Sequence, residues 1–174
     1  MESSTTIILI RNGETAWGQD SRIIGRRDIN ISDKGKEQAQ QALAMLNGVH
    51  VTEILASPHA RSIKTAEVFA THFSLGIGRD PRLVDLDVGR WEGEFWPTIS
   101  NNPHFSEYFA GKAMHFPDGE ELALARQRAV SSVEEALLDN PPGASVLVVT
   151  PAAIIQLILT HYLEMPASTY FDYT

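Results

Sequence analysis

The sequence predicts an α/β domain with a largely parallel sheet, and three observations predict it. Short runs of apolar, β-branched residues alternate along the chain with segments whose apolar residues recur at helical spacing. A length of 174 residues with 43% hydrophobic and 21% charged residues suits one ordinary globular domain rather than several. No internal repeat, low-complexity tract or linker interrupts the alternation, so residues 1–174 read as a single unit.

Thr5 to Ile10 is an unbroken apolar stretch of the kind expected in a strand buried on both faces. From Asp33 onward Ala39, Ala42, Leu43 and Leu46 share a helical face, with Ser32 placed to cap the first turn and Gly48 following the last. Val51 to Ala56 predicts a second strand, and Ile63, Ala66, Ala70 and Phe73 a second helix, the two meeting at Ser57-Pro58. Gly76 to Asp118, rich in Gly, Pro, Asn and aromatic residues, reads as an elaborated loop region with brief helical patches such as Phe105 to Ala110. Leu122, Ala125, Ala129, Val133 and Leu137 mark a long helix, which Pro141-Pro142-Gly143 ends. Ser145 to Val149 is a further buried strand, and Pro151 to Leu163 a last apolar helix.

Composition removes several classes of function. With no cysteine, disulfides, thiolate metal sites and cysteine nucleophiles are excluded, and no spacing suggests a histidine metal motif. A net charge of −8 repels nucleic acid and anionic membrane at long range, although a local basic pocket remains compatible with it. No apolar run approaches the roughly 20 residues of a membrane helix. The N-terminus lacks the basic region of a secretory signal, which leads us to expect a soluble, cytoplasmic protein.

Ligands of open α/β sheets bind beyond the carboxyl ends of the strands. There the sequence places Arg11-Asn12-Gly13-Glu14-Thr15 and Ser57-Pro58-His59-Ala60-Arg61. Two arginine forks converging on one crevice would make an anion site; two surface arginines in ordinary salt bridges explain the same spacing equally well.

Further motifs accompany these stretches. Gly25, Asp28, Ser32 and Gly35 fit G-x-x-D-x-x-x-S/T-x-x-G, and Ser57, Pro58, Arg61, Thr65 and Ala66 fit S-P-x-x-R-x-x-x-T-A. Leu83, Gly89, Trp91, Glu92 and Gly93 match L-x-E-x-x-x-G-x-W-E-G apart from its acid, and Pro117, Gly119 and Glu120 match P-x-G-E. In this order the chain resembles the histidine phosphatase superfamily, over nearly its whole length. The resemblance implies a three-layer, phosphoglycerate-mutase-like fold. It also implies a phosphoryl-transfer site in which the histidine of R-H-G is phosphorylated while arginines and a second histidine hold the phosphoryl oxygens.

The sequence departs from the family at those chemical positions. Asn12 stands at the nucleophile, and a carboxamide has no basic nitrogen lone pair with which to form a phosphoenzyme. Pro151 stands at the second histidine, offering no polar side chain; proline suits a first helical turn, and Thr150 is placed to cap it. Asp85 replaces the glutamate acid, one methylene shorter. Gly18 replaces a frequent asparagine, and Gln156 a frequent arginine. Of the phosphate pocket that the resemblance implies, Arg11 and Arg61 remain, with Thr15 and Ser57 as lesser members.

The expectation is a pseudophosphatase that binds a phosphorylated small molecule or protein partner and needs no cofactor. The alternative is a phosphomonoesterase of non-standard mechanism, using Asp85 as acid and water or His59 as nucleophile or base. A purely structural subunit would leave the arginines idle. His115 is the other histidine that could approach the site, although a loop histidine without a catalytic task is the plainer reading for it and for His59. Trp91, Phe95, Trp96, Phe105, Tyr108 and Phe109 read as lid packing or, alternatively, as a binding surface. Glu92 and Glu94 read as solvated charges, and Glu120 and Glu121 as acids favouring a helix N-terminus. Tyr170, Phe171 and Tyr173 would suit the start of another strand; without it, an exposed sheet edge would favour a homo-oligomer.

Overall fold

A computed structural model describes residues 4–103, 107 and 115–169. Four strands, β1 (Thr6–Arg11), β2 (Glu53–Ala56), β3 (Gly78–Arg79) and β4 (Ser145–Thr150), form one sheet in the order β1-β4-β2-β3. Every pairing is parallel. Six α-helices are described: α1 (Ala16–Gln19), α2 (Asp33–Ala44), α3 (Ala60–Phe73), α4 (Trp96–Ile99), α5 (Leu122–Asp139) and α6 (Ala152–Tyr162).

The strand period of two sorts β4 into two cores. Val146 and Val148 face a cluster with Leu122, Ala125, Ala129 and Val133 of α5 and Ile154, Leu157 and Ile158 of α6. Leu147 and Val149 face the opposite cluster, with Ile63, Ala66 and Phe69 of α3 and, at its margin, Ala42 and Leu43 of α2. Helices therefore cover both sides of the sheet, and the three expected layers are present.

The element boundaries depart from expectation where backbone chemistry overrides apolarity. Val51 is a core residue but precedes β2, and the Thr52 N–H donates to Ser145 O at 2.8 Å ahead of the ladder. Ser32 caps α2 as predicted, its Oγ accepting the Gly35 N–H at 3.1 Å. Pro151 lies one residue outside α6, in extended conformation, rather than in its first turn. Thr150 does not cap that helix, because its hydroxyl donates to Leu83 O at 2.9 Å in the buried interior.

The middle region is less loop-like than predicted. It contributes β3, 3-10 turns at Pro81–Leu83 and Gly89–Trp91, and the core residues Leu83, Leu86, Val88 and Trp91. Trp91 packs edge-on against Phe116, ring centroids 5.5 Å apart. Phe95 and Trp96 are exposed. Apart from Glu107, the expected helical patch from Phe105 to Ala110, with Tyr108 and Phe109, lies outside the described residues, as does the strand start at Tyr170, Phe171 and Tyr173.

Candidate functional site

The carboxyl ends of β1 and β4 and the start of α3 frame one crevice of about 600 Å³. Arg11, Asn12, Arg61, Asp85 and Pro151, drawn from four separate stretches of sequence, all line it. Parallel pairing brings them there, for Arg11 sits opposite Thr150 in register, which puts Asn12 and Pro151 side by side beyond the sheet. The loop that follows β1 is pressed against α2: a Cβ on Gly13 would meet the Gly35 backbone, and one on Gly35 the Glu14 backbone. The Gly13 N–H donates to Thr65 Oγ1 at 2.9 Å, and that hydroxyl donates to Arg61 O at 2.7 Å, tying the loop to α3.

Arg61 is 1% exposed. Its guanidinium donates to Arg27 O at 2.8 Å, Gly25 O at 2.8 Å and Asp85 Oδ2 at 2.9 Å. The cation is thus satisfied from within the protein. The other Asp85 oxygen accepts the Leu86 N–H at 2.9 Å. Burial raises the Asp85 carboxyl above the usual carboxylate value, opposed chiefly by the charge of Arg61. Arg11, by contrast, is exposed, and its side chain makes no hydrogen bond or ion pair among the described residues. Asn12 donates its amide to Gly13 O at 2.9 Å, leaving its carbonyl oxygen open.

Other predicted residues stand apart from the crevice lining. Thr15 is buried as the cap of α1, its Oγ accepting the Gly18 N–H at 3.1 Å. Ser57 is buried with its Oγ 3.4 Å from His59 Nδ1. His59 occupies the N-cap of α3 without a side-chain cap bond, and Asp28 Oδ1 accepts the Ala60 N–H there at 2.6 Å. Burial, and then the Arg61 charge, hold the His59 imidazole below its ordinary value. His115 is exposed and bonded to Phe116 O at 3.1 Å.

A positioning shell around Asp85 was not foreseen. Arg128, from α5, donates to Arg82 O at 2.6 Å, Val84 O at 2.7 Å and Asp85 O at 3.2 Å, so it holds the backbone that carries the carboxylate. Glu120 accepts from Arg128 at 2.7 Å and from the Asp87 N–H at 2.9 Å. It braces this loop from its place just ahead of α5. Glu92 pairs with Arg27 at 3.1 Å rather than standing solvated.

The remaining walls are mostly apolar, formed by Ile23, Ile24, Leu86, Val88, Trp91 and Phe116 on loops and by Ala153, Ile155 and Leu159 on α6, with Gln156 among them. Arg22 also lines the crevice, stacked 3.8 Å over the Phe95 ring and donating to Gly93 O at 2.8 Å. Among the described residues, no group of three or more His, Asp or Glu side chains is arranged to hold a metal, and no helix is long and apolar enough to cross a membrane.

Comparisons with known proteins converge on one family. The model of the histidine phosphatase superfamily (branch 1) matches residues 7–174. The chain is similar to the Probable phosphoglycerate mutase GpmB of Cronobacter sakazakii, 29% identical over 167 residues that span 92% of this chain and 76% of that protein. Among solved structures it is similar to Bacillus stearothermophilus YhfR, with TM-score 0.85 and 27% identity over 96% of this chain and 84% of that one. The phosphoserine phosphatase of Entamoeba histolytica, in complex with 3-phosphoglyceric acid, shares the fold at TM-score 0.86, with 22% identity over 98% of this chain and 85% of that one.

Proposed function

The chain belongs to the histidine phosphatase superfamily, and from that premise we propose that it is a non-catalytic member, a pseudophosphatase that uses its crevice to bind a phosphorylated ligand or protein partner. The observation that carries this reading is the identity of the two residues at the adjoining ends of β1 and β4. Asn12 and Pro151 line the crevice where the family resemblance calls for imidazoles, and neither offers a basic nitrogen to attack phosphorus or to receive a phosphoryl group. Arg11 keeps a free guanidinium at the mouth. Arg61 is the second cation, held in reserve by Asp85 at 2.9 Å and available to an anion that displaces that carboxylate.

We read the protein as cytoplasmic, without cofactor, and turned away from nucleic acid and membrane by its net charge of −8. Strand β1 has β4 on one side and no strand on the other among the described residues, so a homo-oligomer would pair through that edge. Intact-mass measurement at neutral pH after exposure to phosphomonoesters is expected to show no phosphoryl adduct. An adduct mapping to this chain would overturn the reading.

One second reading has an observation behind it. Burial raises the Asp85 carboxyl, and the His59 imidazole is biased towards its neutral form. That acid and that base would suit a phosphomonoesterase working through water. His59 is not among the crevice-lining residues, which favours the first reading.

A further inference from the structure

Gln156 is only 7% exposed, yet its carboxamide forms no hydrogen bond among the described residues. A buried carboxamide normally finds partners, because its desolvation is otherwise uncompensated. The Gln156 polar atoms are not sealed from solvent, unlike the unpartnered Ser62 Oγ. Their access is to the crevice, which Gln156 lines from the same face of α6 as Ala152, Ile155 and Leu159. The opposite face, Ile154, Leu157 and Ile158, is packed into the core.

The surroundings of that carboxamide are selective. Walls of isoleucine, leucine and aromatic side chains surround it, and Arg61, the one deeply buried cation among the described residues, is already neutralised by Asp85. A cavity of about 600 Å³ has the size of a small-molecule site. Asn12, with its open carbonyl oxygen, and Arg11, with its free guanidinium, stand on the rim of the same cavity.

We propose that the crevice takes an amphipathic ligand whose apolar, ring-sized body fills these walls and carries a neutral hydrogen-bonding group, a hydroxyl or carboxamide, that the Gln156 carboxamide reads. The proposal rests on the crevice being a binding site, and it adds what the body of a phosphorylated ligand must look like. Gln156 both donates and accepts, so it matches a group that does likewise. Such a group meets an otherwise unpaired partner, which is where hydrogen bonds discriminate most sharply between ligands. A bare phosphate would leave the apolar walls wet and Gln156 unused, and a polyol phosphate, although its hydroxyls could meet Gln156, would still leave the apolar walls wet.

Calorimetric titration tests this with four probes: inorganic phosphate, glycerol 2-phosphate, phenyl phosphate and 4-carbamoylphenyl phosphate, with benzamide as the uncharged control. Phenyl phosphate is expected to bind at least about ten-fold more tightly than glycerol 2-phosphate, and the carbamoyl group to add on the order of five-fold. Gln156→Leu should abolish that second increment and leave the first. Because Gln156 has no partner in the free protein, Gln156→Leu should not lower Tm, whereas a residue with a structural role would. Equal affinity across the four phosphates, a carbamoyl increment that survives Gln156→Leu, or no binding of any probe would overturn the proposal. Binding of benzamide without binding of inorganic phosphate would support it while removing the phosphorylated-ligand reading on which it was built.

Discussion

Replacing Asp85 by asparagine separates the two things its carboxylate does, which are to hold Arg61 and to withhold it from anions. Arg61 is 1% exposed, and the Asp85 side chain is 15% exposed, so both charges are largely out of water. Breaking such a pair from one side costs about 3–5 kcal/mol, because the remaining charge is buried without compensation. Here the guanidinium keeps Gly25 O and Arg27 O, each at 2.8 Å, and the new amide still offers an oxygen to accept from it. The expected loss is therefore at the low side, about 2–3 kcal/mol. In a chain of 174 residues that is a fall in Tm of about 5–10 °C. The same change removes the negative charge that competes with an anion for the cation, so millimolar inorganic phosphate should raise the Tm of Asp85→Asn more than it raises that of the unaltered protein. Phosphate at 100 times its dissociation constant adds roughly 2.7 kcal/mol, enough to restore most of the loss. The assay is thermal unfolding of both proteins with and without phosphate. A variant that matches the parent in Tm and in phosphate response would refute the argument that Asp85 holds and masks Arg61.

Arg128→Met removes the donor for three carbonyls around Asp85 and the partner of Glu120, and should cost about 2–3 kcal/mol in urea unfolding while weakening the Asp85-dependent difference in phosphate response. Because the folded value of His59 lies below its unfolded value, the unfolded chain binds the extra proton first as pH falls. The His59 contribution is therefore fully present above the unfolded value near 6.5 and is lost as pH drops towards the folded one. The Tm gap between pH 8 and pH 5.5 should accordingly narrow in His59→Gln, and an unchanged gap would contradict the burial-driven shift. Gly13→Ala forces a Cβ onto the Gly35 backbone, and we expect a loss of about 2–3 kcal/mol by denaturant titration.

Much of the scaffold was legible because its signals are local. The apolar, β-branched runs Thr5 to Ile10 and Ser145 to Val149 each announced a strand; β4 is buried as expected, whereas β1, at the sheet edge, is only half-buried. The α3 stripe of Ile63, Ala66 and Phe73 needed only the helical period. Strand β3 has two residues and no pattern of its own; β2 gives it a partner. Motif resemblance grouped Arg11, Asn12, Arg61, Asp85 and Pro151, and all five line one crevice. Their mutual state was not legible. That Arg61 is sealed and satisfied by Asp85, Gly25 O and Arg27 O depends on contacts between positions 24 to 36 residues apart. Thr150 looked like a helix cap by position, but a buried carbonyl at Leu83 lies within reach of its hydroxyl and takes the bond. The partners of Glu120 were hidden for the same reason, since Arg128 and the Asp87 N–H come to it from other parts of the chain.

The central claim is that the crevice binds without turning over phosphomonoesters, and phosphate release from a broad phosphomonoester panel tests it most directly. Arg61→Ala, prepared identically, reports any contaminating phosphatase. The account predicts that the purified protein releases no more phosphate than that control on every substrate. Turnover that is present in the unaltered protein and absent from Arg61→Ala would contradict it, and would show that another group has taken over the work that Asn12 does not support.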